Sequence, residues 1–473
     1  MPGGSFSPDQ HPQYGAGGAL IDLPGSIERV LRLSTADACI VIGQQEAVAN
    51  VRWANNTVTT NGAVDKASLT IVSIMGRRVA SVTRTHFPPD QLEAMVRESE
   101  AACRSRPEAP DYMPLVERNG TPHVDWAAPP PAADIHVLDA VVPQLGDMLD
   151  RARGSQTATF GYTEHHASTV WLASSGGLRL RHSDRIGKVE MTGKTPDFSR
   201  SSWAGQATAD FSDVDPRSLL EGLRQRLSWS ARRIDLPAGQ YEVLLEPSCT
   251  ADLAIRSYDY MTRRDADEGR SPFSKPGGGT QIGERLFGHA TVYSDPDEPG
   301  VRTAQFHVGA DSSSAASVFD NGLPESRTDW VGNGTLRALV TPRYWAAKSG
   351  SEPVPFINNL IVAGDGPALD EMIAQTERAL LITCFWYIRT VDPQTALETG
   401  LTRDGVFLVE HGKVVGAVNN FRWNMSPIAA FAQATQFGRS GMALPREHDE
   451  FLRAKAPPVR IERFNMSSPS EAT

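Results

Sequence analysis

Apolar positions change their period several times along this chain, and each change marks an element. A-C-I-V-I-G (residues 38–43) is a continuous apolar run rich in β-branched residues and reads as a strand. V-R-W-A-N-N-T-V-T-T-N-G (51–62) alternates around an Asn-Asn pair, the pattern of strand, turn, strand. A-S-L-T-I-V-S-I-M-G-R-R-V-A-S-V-T-R-T reads as a hairpin turning at Gly76. A short helix is expected before these, from about Ser26 to Leu33. After Pro88-Pro89-Asp90 the period becomes helical: Leu92, Met95, Val96, Ser99, Ala102 and Cys103 share one stripe, which makes Cys103 a core residue. A Pro-rich connector covers about Pro107–Ala133. A second round follows, with a helix near Ile135–Arg151 and strands near Ala158–Tyr162, Ser168–Ala173, Leu178–His182 and Lys188–Met191. A helix over about Pro216–Arg232 closes it.

Beyond Asp235-Leu236-Pro237-Ala238-Gly239 the pattern is mainly β, broken by helical stretches at Thr250–Arg264 and Ala368–Leu380. Right-handed β-α-β crossovers are not evident, so the predicted class is α+β: a mixed helix and antiparallel-sheet domain, then a mainly β one. The expected limits are 1–19 (a Gly-, Pro- and Ser-rich disordered start), 20–235, 236–467 and a tail from 468 to 473. At 473 residues, more than one domain is the natural outcome. Asp265–Gly283, with S-P-F-S-K-P-G-G-G-T, has no period and reads as a mobile, functional loop, carried by Lys275, Gly277, Gly278 and Gly279.

Composition removes several classes of function. The formal charge is −10 with no basic cluster, which disfavours nucleic acid as a partner. No apolar run reaches a bilayer span, the best being the ten residues Ala379–Ile388, so no membrane role is expected. The N-terminus lacks a basic segment followed by an apolar one. Four widely spaced cysteines without a C-x-x-C pair fit a reducing compartment, and the cytoplasm is the expected location. The sequons at Asn55 and Asn333 carry little weight there.

Candidate chemistry is sparse. Glu164-His165-His166 could suggest a metal, but neighbouring strand residues point to opposite faces and His182 lies on another strand; exposed edge polarity is the preferred reading. Gly277-Gly278-Gly279-Thr280 lacks the phosphate-loop pattern. Cys249 stands at a strand-to-helix junction where a thiol could be activated, with His289 or His307 as a conceivable base, though both histidines read as structural. Arg389, Asp392, Arg403 and Asp404 lie in a hydrophobic frame and read as buried ion pairs. Glu410-His411-Gly412-Lys413 is a hairpin tip.

The segment D-P-Q-T-A-L-E-T-G-L-T-R-D-G-V-F-L-V-E-H-G-K-V-V-G-A-V-N-N-F-R-W-N resembles the C-terminal domain of the TldD/PmbA (TldE) peptidase family. The likeness extends to V-R-W-A-N-N-T-V-T-T-N-G and to Y-E-V-L-L-E-P, and covers about Leu20–Ser467. It implies one of two kinds of subunit that pair as a heterodimer. The zinc-bearing kind carries H-E-x-x-x-H just after the strand that Tyr241–Leu245 resembles, supplying imidazoles for Zn²⁺ and a carboxylate for its water. Here the matching positions read Pro247-Ser248-Cys249-Thr250-Ala251-Asp252, and one residue earlier they run from Glu246 to Ala251. Neither register holds a histidine pair, and no cysteine follows Cys384 where the zinc-bearing kind uses one. The resemblance therefore implies a TldE-like subunit with no catalytic residue and no cofactor of its own. Zinc is expected in a TldD-like partner, and unfolded peptides, including leader or carrier segments, are the implied substrates. A stand-alone binding or regulatory protein is the first alternative, and a hydrolase using Cys249 the second.

Overall fold

A computed structural model describes residues 22–117, 125–130, 135–448 and 453–470. The expected disordered start at 1–19 lies outside them, as do parts of the Pro-rich connector. The first sheet is built from β1 (Ala38–Ala54), β2 (Thr57–Met75), β3 (Arg78–Arg84), β4 (Ala158–Ser174), β5 (Arg179–Lys194) and β6 (Ser201–Thr208). All pairings are antiparallel, in the order β3-β2-β1-β4-β5-β6. Several strands that pattern alone reads as short pieces are continuous. Ala158–Tyr162 and Ser168–Ala173 are both parts of β4, and Leu178–His182 and Lys188–Met191 fall largely within β5. Polar residues in the middle of these strands interrupt the apolar pattern without interrupting the ladder.

Asn55 and Asn56 join β1 to β2 with φ of 48° and 62°, the left-handed pair that a tight two-residue hairpin requires. The Asn56 side chain is buried and ties the turn to β4, accepting from the Thr159 amide at 2.7 Å and donating to the Thr157 carbonyl at 2.8 Å.

The unbroken C-I-V-I run of β1 is explained by cover on both faces. Cys39 and Val41 pack with α1 (Leu23–Leu33) and α2 (Leu92–Ser105), together with Leu69, Ile71 and Trp171. Ile40 and Ile42 face the other way, against Phe306, Val318 and Phe319 of the C-terminal region. Gly43 lets α1 lie close: a Cβ there would meet the Ile27 Cδ1 at 2.9 Å. Each fully buried aliphatic side chain stabilises this arrangement by roughly 1.5–3 kcal/mol. The other end of the sheet is covered by α3 (Val142–Gly154) and α4 (Pro216–Trp229) through Leu145, Leu149, Leu220 and Leu223.

The short β7 (Arg233–Ile234) and β8 (Gly239–Leu245) then enter a ten-stranded sheet. β8 lies inside it, antiparallel to Val459–Pro469 and parallel to Arg378–Ile382. β7 is also parallel to its neighbour Lys413–Val418, so the strand-rich region is mixed rather than purely antiparallel. The strand Val459–Pro469 runs two residues into the segment read as a tail. The helical stretch read at Thr250–Arg264 is two helices, α5 (Pro247–Asp259) and the short α6 (Arg263–Asp267). That read at Ala368–Leu380 is a helix over Leu369–Ala374, followed by the strand Arg378–Ile382.

The loop read as mobile is anchored. Phe273 is fully buried and stacks on Phe287, and the Gln281 amide donates to the Pro272 and Ser274 carbonyls at 2.8 and 3.0 Å. Its tip folds back through the Lys275 amide to the Gly279 carbonyl at 2.9 Å.

Candidate functional site

The junction of β8 and α5 is a buried polar point of the strand-rich region, with Glu246, Ser248, Thr250 and Asp252 all buried. α5 is buried on nearly every side, so its polar residues must find partners within the protein. Pro247 at its first turn lacks an N–H that would otherwise be left over, and Glu246 precedes it. The Glu246 carboxylate accepts from Arg226 of α4 at 2.7 Å, while the same guanidinium donates to the Trp203 carbonyl at 2.6 Å. Burial pushes the Glu246 carboxyl up, against the pull of Arg226.

Ser248, Asp252 and Arg256 recur every four residues and form one polar stripe. The Ser248 hydroxyl donates to the Leu444 carbonyl at 2.7 Å, and Asp252 Oδ1 accepts from the Glu447 amide at 3.1 Å. Arg256 reaches the buried Glu398 at 2.8 Å, which Tyr260 also joins at 2.5 Å. The Glu447 carboxylate in turn accepts from the Ile388 amide at 2.9 Å. Segment 444–447 is thus stitched along α5 and across to the strand Phe385–Asp392.

Cys249 is fully buried and its Sγ donates to the Ile382 carbonyl at 3.6 Å. Burial, aided by the nearby Cys384, Asp252 and Glu246, pushes its thiol well above the ordinary value. That is the opposite of an activated nucleophile. Of its conceivable bases, His289 is bonded to Arg285 at 2.9 Å and His307 faces a separate cavity. Cys384 donates to the Arg403 carbonyl at 3.0 Å, and burial raises its pKa to about 12. Arg446 donates to Cys384 at 2.8 Å and to Asp404 at 3.4 Å, lying over the Trp203 and Trp386 rings.

The expectation for Arg389, Asp392, Arg403 and Asp404 therefore divides. Asp404 is buried between Arg446 and Arg403, whereas Arg389 is exposed over Tyr387 and Asp392 caps the turn at Gln394.

The donor set at the junction does not fit a zinc ion. Its hydroxyl is spent on a carbonyl, its thiol is protonated and buried, and Arg226, Arg256 and Arg446 bring positive charge to its acidic groups. Among the described residues, no three His, Cys, Asp or Glu side chains are grouped to hold a metal ion.

Glu164-His165-His166 is not edge polarity, because β4 lies between β1 and β5. His165 is buried and bonded to the Ala209 carbonyl at 3.0 Å, and burial lowers its pKa. His166 lies between Glu46 at 2.9 Å and Glu164 at 3.7 Å. Burial opposes its charge, yet these two carboxylates outweigh that and raise its pKa to about 9. The fully buried Lys188 pairs with Glu164 at 3.4 Å. The cluster is a closed charge network, set by the Glu164–Lys188 register of β4 and β5.

Gly277, Gly278 and Gly279 have φ of 87°, 111° and 84°, with open space where a Cβ would stand. Lys275 pairs with Glu284 at 3.1 Å. The tip is not part of the α5 junction's hydrogen-bond network. Sequence reasoning missed Arg226, Arg256, Glu398, Arg446 and Glu447. The one local signal was L-P-R-E-H, a charged triplet following an apolar stretch.

A buried helix entering from an inner strand of a mixed sheet, beside a helix-covered antiparallel sheet, defines a two-part α+β class shared with solved structures. TldE from Thermococcus kodakarensis superposes with a TM-score of 0.77 at 15% identity, over 93% of this chain and 99% of its own. A protein from Thermotoga maritima MSB8, described as a candidate modulator of a DNA gyrase, gives 0.74 at 13% identity, over 93% and 99%. One from Bacteroides thetaiotaomicron VPI-5482 with the same kind of description gives 0.73 at 13%, over 94% and 97%. No curated protein matches in sequence. Residues 238–468, the strand-rich part of the chain, match the PmbA/TldA metallopeptidase C-terminal domain.

Proposed function

We propose that this chain is a non-catalytic, TldE-like subunit of a heterodimeric zinc metallopeptidase. In this reading it forms part of the chamber wall while a TldD-like partner supplies the zinc. The observation that carries the proposal is the closed β8–α5 junction, where Pro247, Ser248 and Asp252 stand and three arginines occupy the surroundings. A cation would have to displace several charge-assisted hydrogen bonds to bind there. Unfolded peptides, including leader or carrier segments, are the proposed substrates, and the cytoplasm the proposed location. Among the described residues, no helix is long and apolar enough to cross a membrane.

Two surfaces support a partner. Phe385–Asp392 ends the ten-stranded sheet and exposes Trp386, Tyr387 and Val391, an edge suited to being covered by another chain. The tip at Lys275 and Gly277–Gly279 is proposed to face the partner or the substrate. The test is peptide hydrolysis by the purified chain, by a partner carrying H-E-x-x-x-H, and by the two mixed. Activity confined to the mixture and the partner supports the reading. Zinc-dependent hydrolysis by this chain alone overturns it. A stand-alone regulatory role would leave the chain without such a partner. The buried thiol of Cys249 disfavours a cysteine hydrolase.

A further inference from the structure

A cavity of about 580 Å³ opens between the first sheet and the C-terminal region, apart from the α5 junction. The sheet side is polar, with Gln44, Gln45 and Thr169, and Phe306 and Phe356 add an aromatic side. Most of the charges in its walls are already paired. Asp184 is bound by Arg453 and lies 3.8 Å from His182, and Glu46 is held by His166 at 2.9 Å.

Glu325 and His307 differ. Their side chains are only 6% and 8% exposed, and they face one another at 3.9 Å, beyond hydrogen-bond range. Among the described residues no donor reaches the Glu325 carboxyl, and His307 Nε2 is buried without a partner. Buried polar groups are normally satisfied, and an unmet carboxyl on a cavity wall is a group built to meet something that enters.

We propose that this cavity is a binding site for a protonated amine, an alkylammonium or lysine-like group, with Glu325 as its counter-ion. The missing interaction is one cationic donor: the other wall carboxylates have their own cations, and the aromatic rings favour a cation over an anion. His307 offers the adjacent polar contact. The proposal does not depend on the subunit reading. Burial raises the Glu325 pKa to about 8 and lowers that of His307 to about 4, so this pair is mainly uncharged at pH 7. An entering cation then displaces the carboxyl proton, and affinity rises with pH from 6 to 8. His166 and Asp184 on the facing strands keep their charges across that range, held by Glu164, Glu46 and Arg453. His182 stands by Asp184 and is the remaining facing group to control.

Ligand-observed NMR and calorimetry on the full chain test this with n-butylamine, n-butanol, and a lysine peptide blocked at both ends. Saturable binding of butylamine or of the blocked peptide, absent for butanol, is expected. Butylamine binding points to a free amine and peptide-only binding to a lysine side chain. Glu325→Gln should weaken binding at least about tenfold, while Glu46→Gln on the facing sheet wall, whose carboxylate is already held by His166, leaves it nearly unchanged. Thermal unfolding of both variants shows that they are folded. No saturable binding of either amine overturns the proposal, as does equal binding by Glu325→Gln.

Discussion

Glu325 gives a stability prediction that needs no ligand. An acid whose folded pKa lies above its unfolded value holds its proton in the fold. Its burial is therefore tolerated below the ordinary 4.5 and becomes costly as pH rises toward about 8. The folded chain binds more protons through that window, so stability falls with pH. By linkage, the ionisation penalty is about 1 kcal/mol at pH 5 and about 4 kcal/mol at pH 8. Glu325→Gln keeps the shape and removes the titration. The variant should therefore gain about 3 kcal/mol on wild type between pH 5 and pH 8, which corresponds to about 3 °C in Tm for a chain of this length. Asp184 and Glu46, whose folded pKa values are lowered, lose their stabilising contribution on the acid side and do not mimic this trend. Nor does His307: its pKa falls to about 4, so its share is lost as pH drops below 6.5. The assay is thermal unfolding of both proteins from pH 5 to pH 8. Parallel Tm curves would refute the reasoning, meaning that Glu325 is ionised and solvated in the fold.

Arg226→Ala should strand the Glu246 carboxylate and lower stability by roughly 3 kcal/mol, read as a fall in Tm, with a smaller effect at low pH where Glu246 is protonated. Cys249→Ala should leave any activity of the complex intact, and native Cys249 should resist thiol reagents until the chain unfolds; loss of activity in a folded variant would revive the hydrolase reading. Tyr387→Ser combined with Val391→Ser should weaken capture of a partner at least about tenfold while Tm changes little, because both side chains are exposed. Gly278→Ala places a Cβ at φ 111°, and the expected cost is about 1 kcal/mol in stability without loss of the fold.

Sequence periodicity read the apolar parts of β1 to β5 and the helices that cover them, but missed β6 (Ser201–Thr208), whose small and polar residues carry no clear period. The Asn55-Asn56 turn and the Leu92–Cys103 stripe needed only local chemistry. It broke β4 and β5 into pieces because the Glu164–Lys188 and His166–Glu46 networks put charge inside a sheet, where pattern reads a loop or an edge. Parallel pairing of β8 with Arg378–Ile382 could not be read, since more than a hundred intervening residues separate the strands. The α5 site was legible only as missing ligands. What fills the space comes from Arg226, Glu398 and Arg446, which are distant in sequence and carry no motif. Glu325 was invisible for the same reason, being an ordinary residue made unusual by burial alone.

The most direct test of the account is where zinc resides after this chain is captured, with whatever binds it, from a lysate of its native cells. The captured complex is separated into subunits under native conditions, and zinc is measured in each by mass spectrometry. The account predicts a near-equimolar partner carrying H-E-x-x-x-H, zinc confined to it, and none above background in this chain. Stoichiometric zinc in this chain, or capture of no such partner, would contradict it.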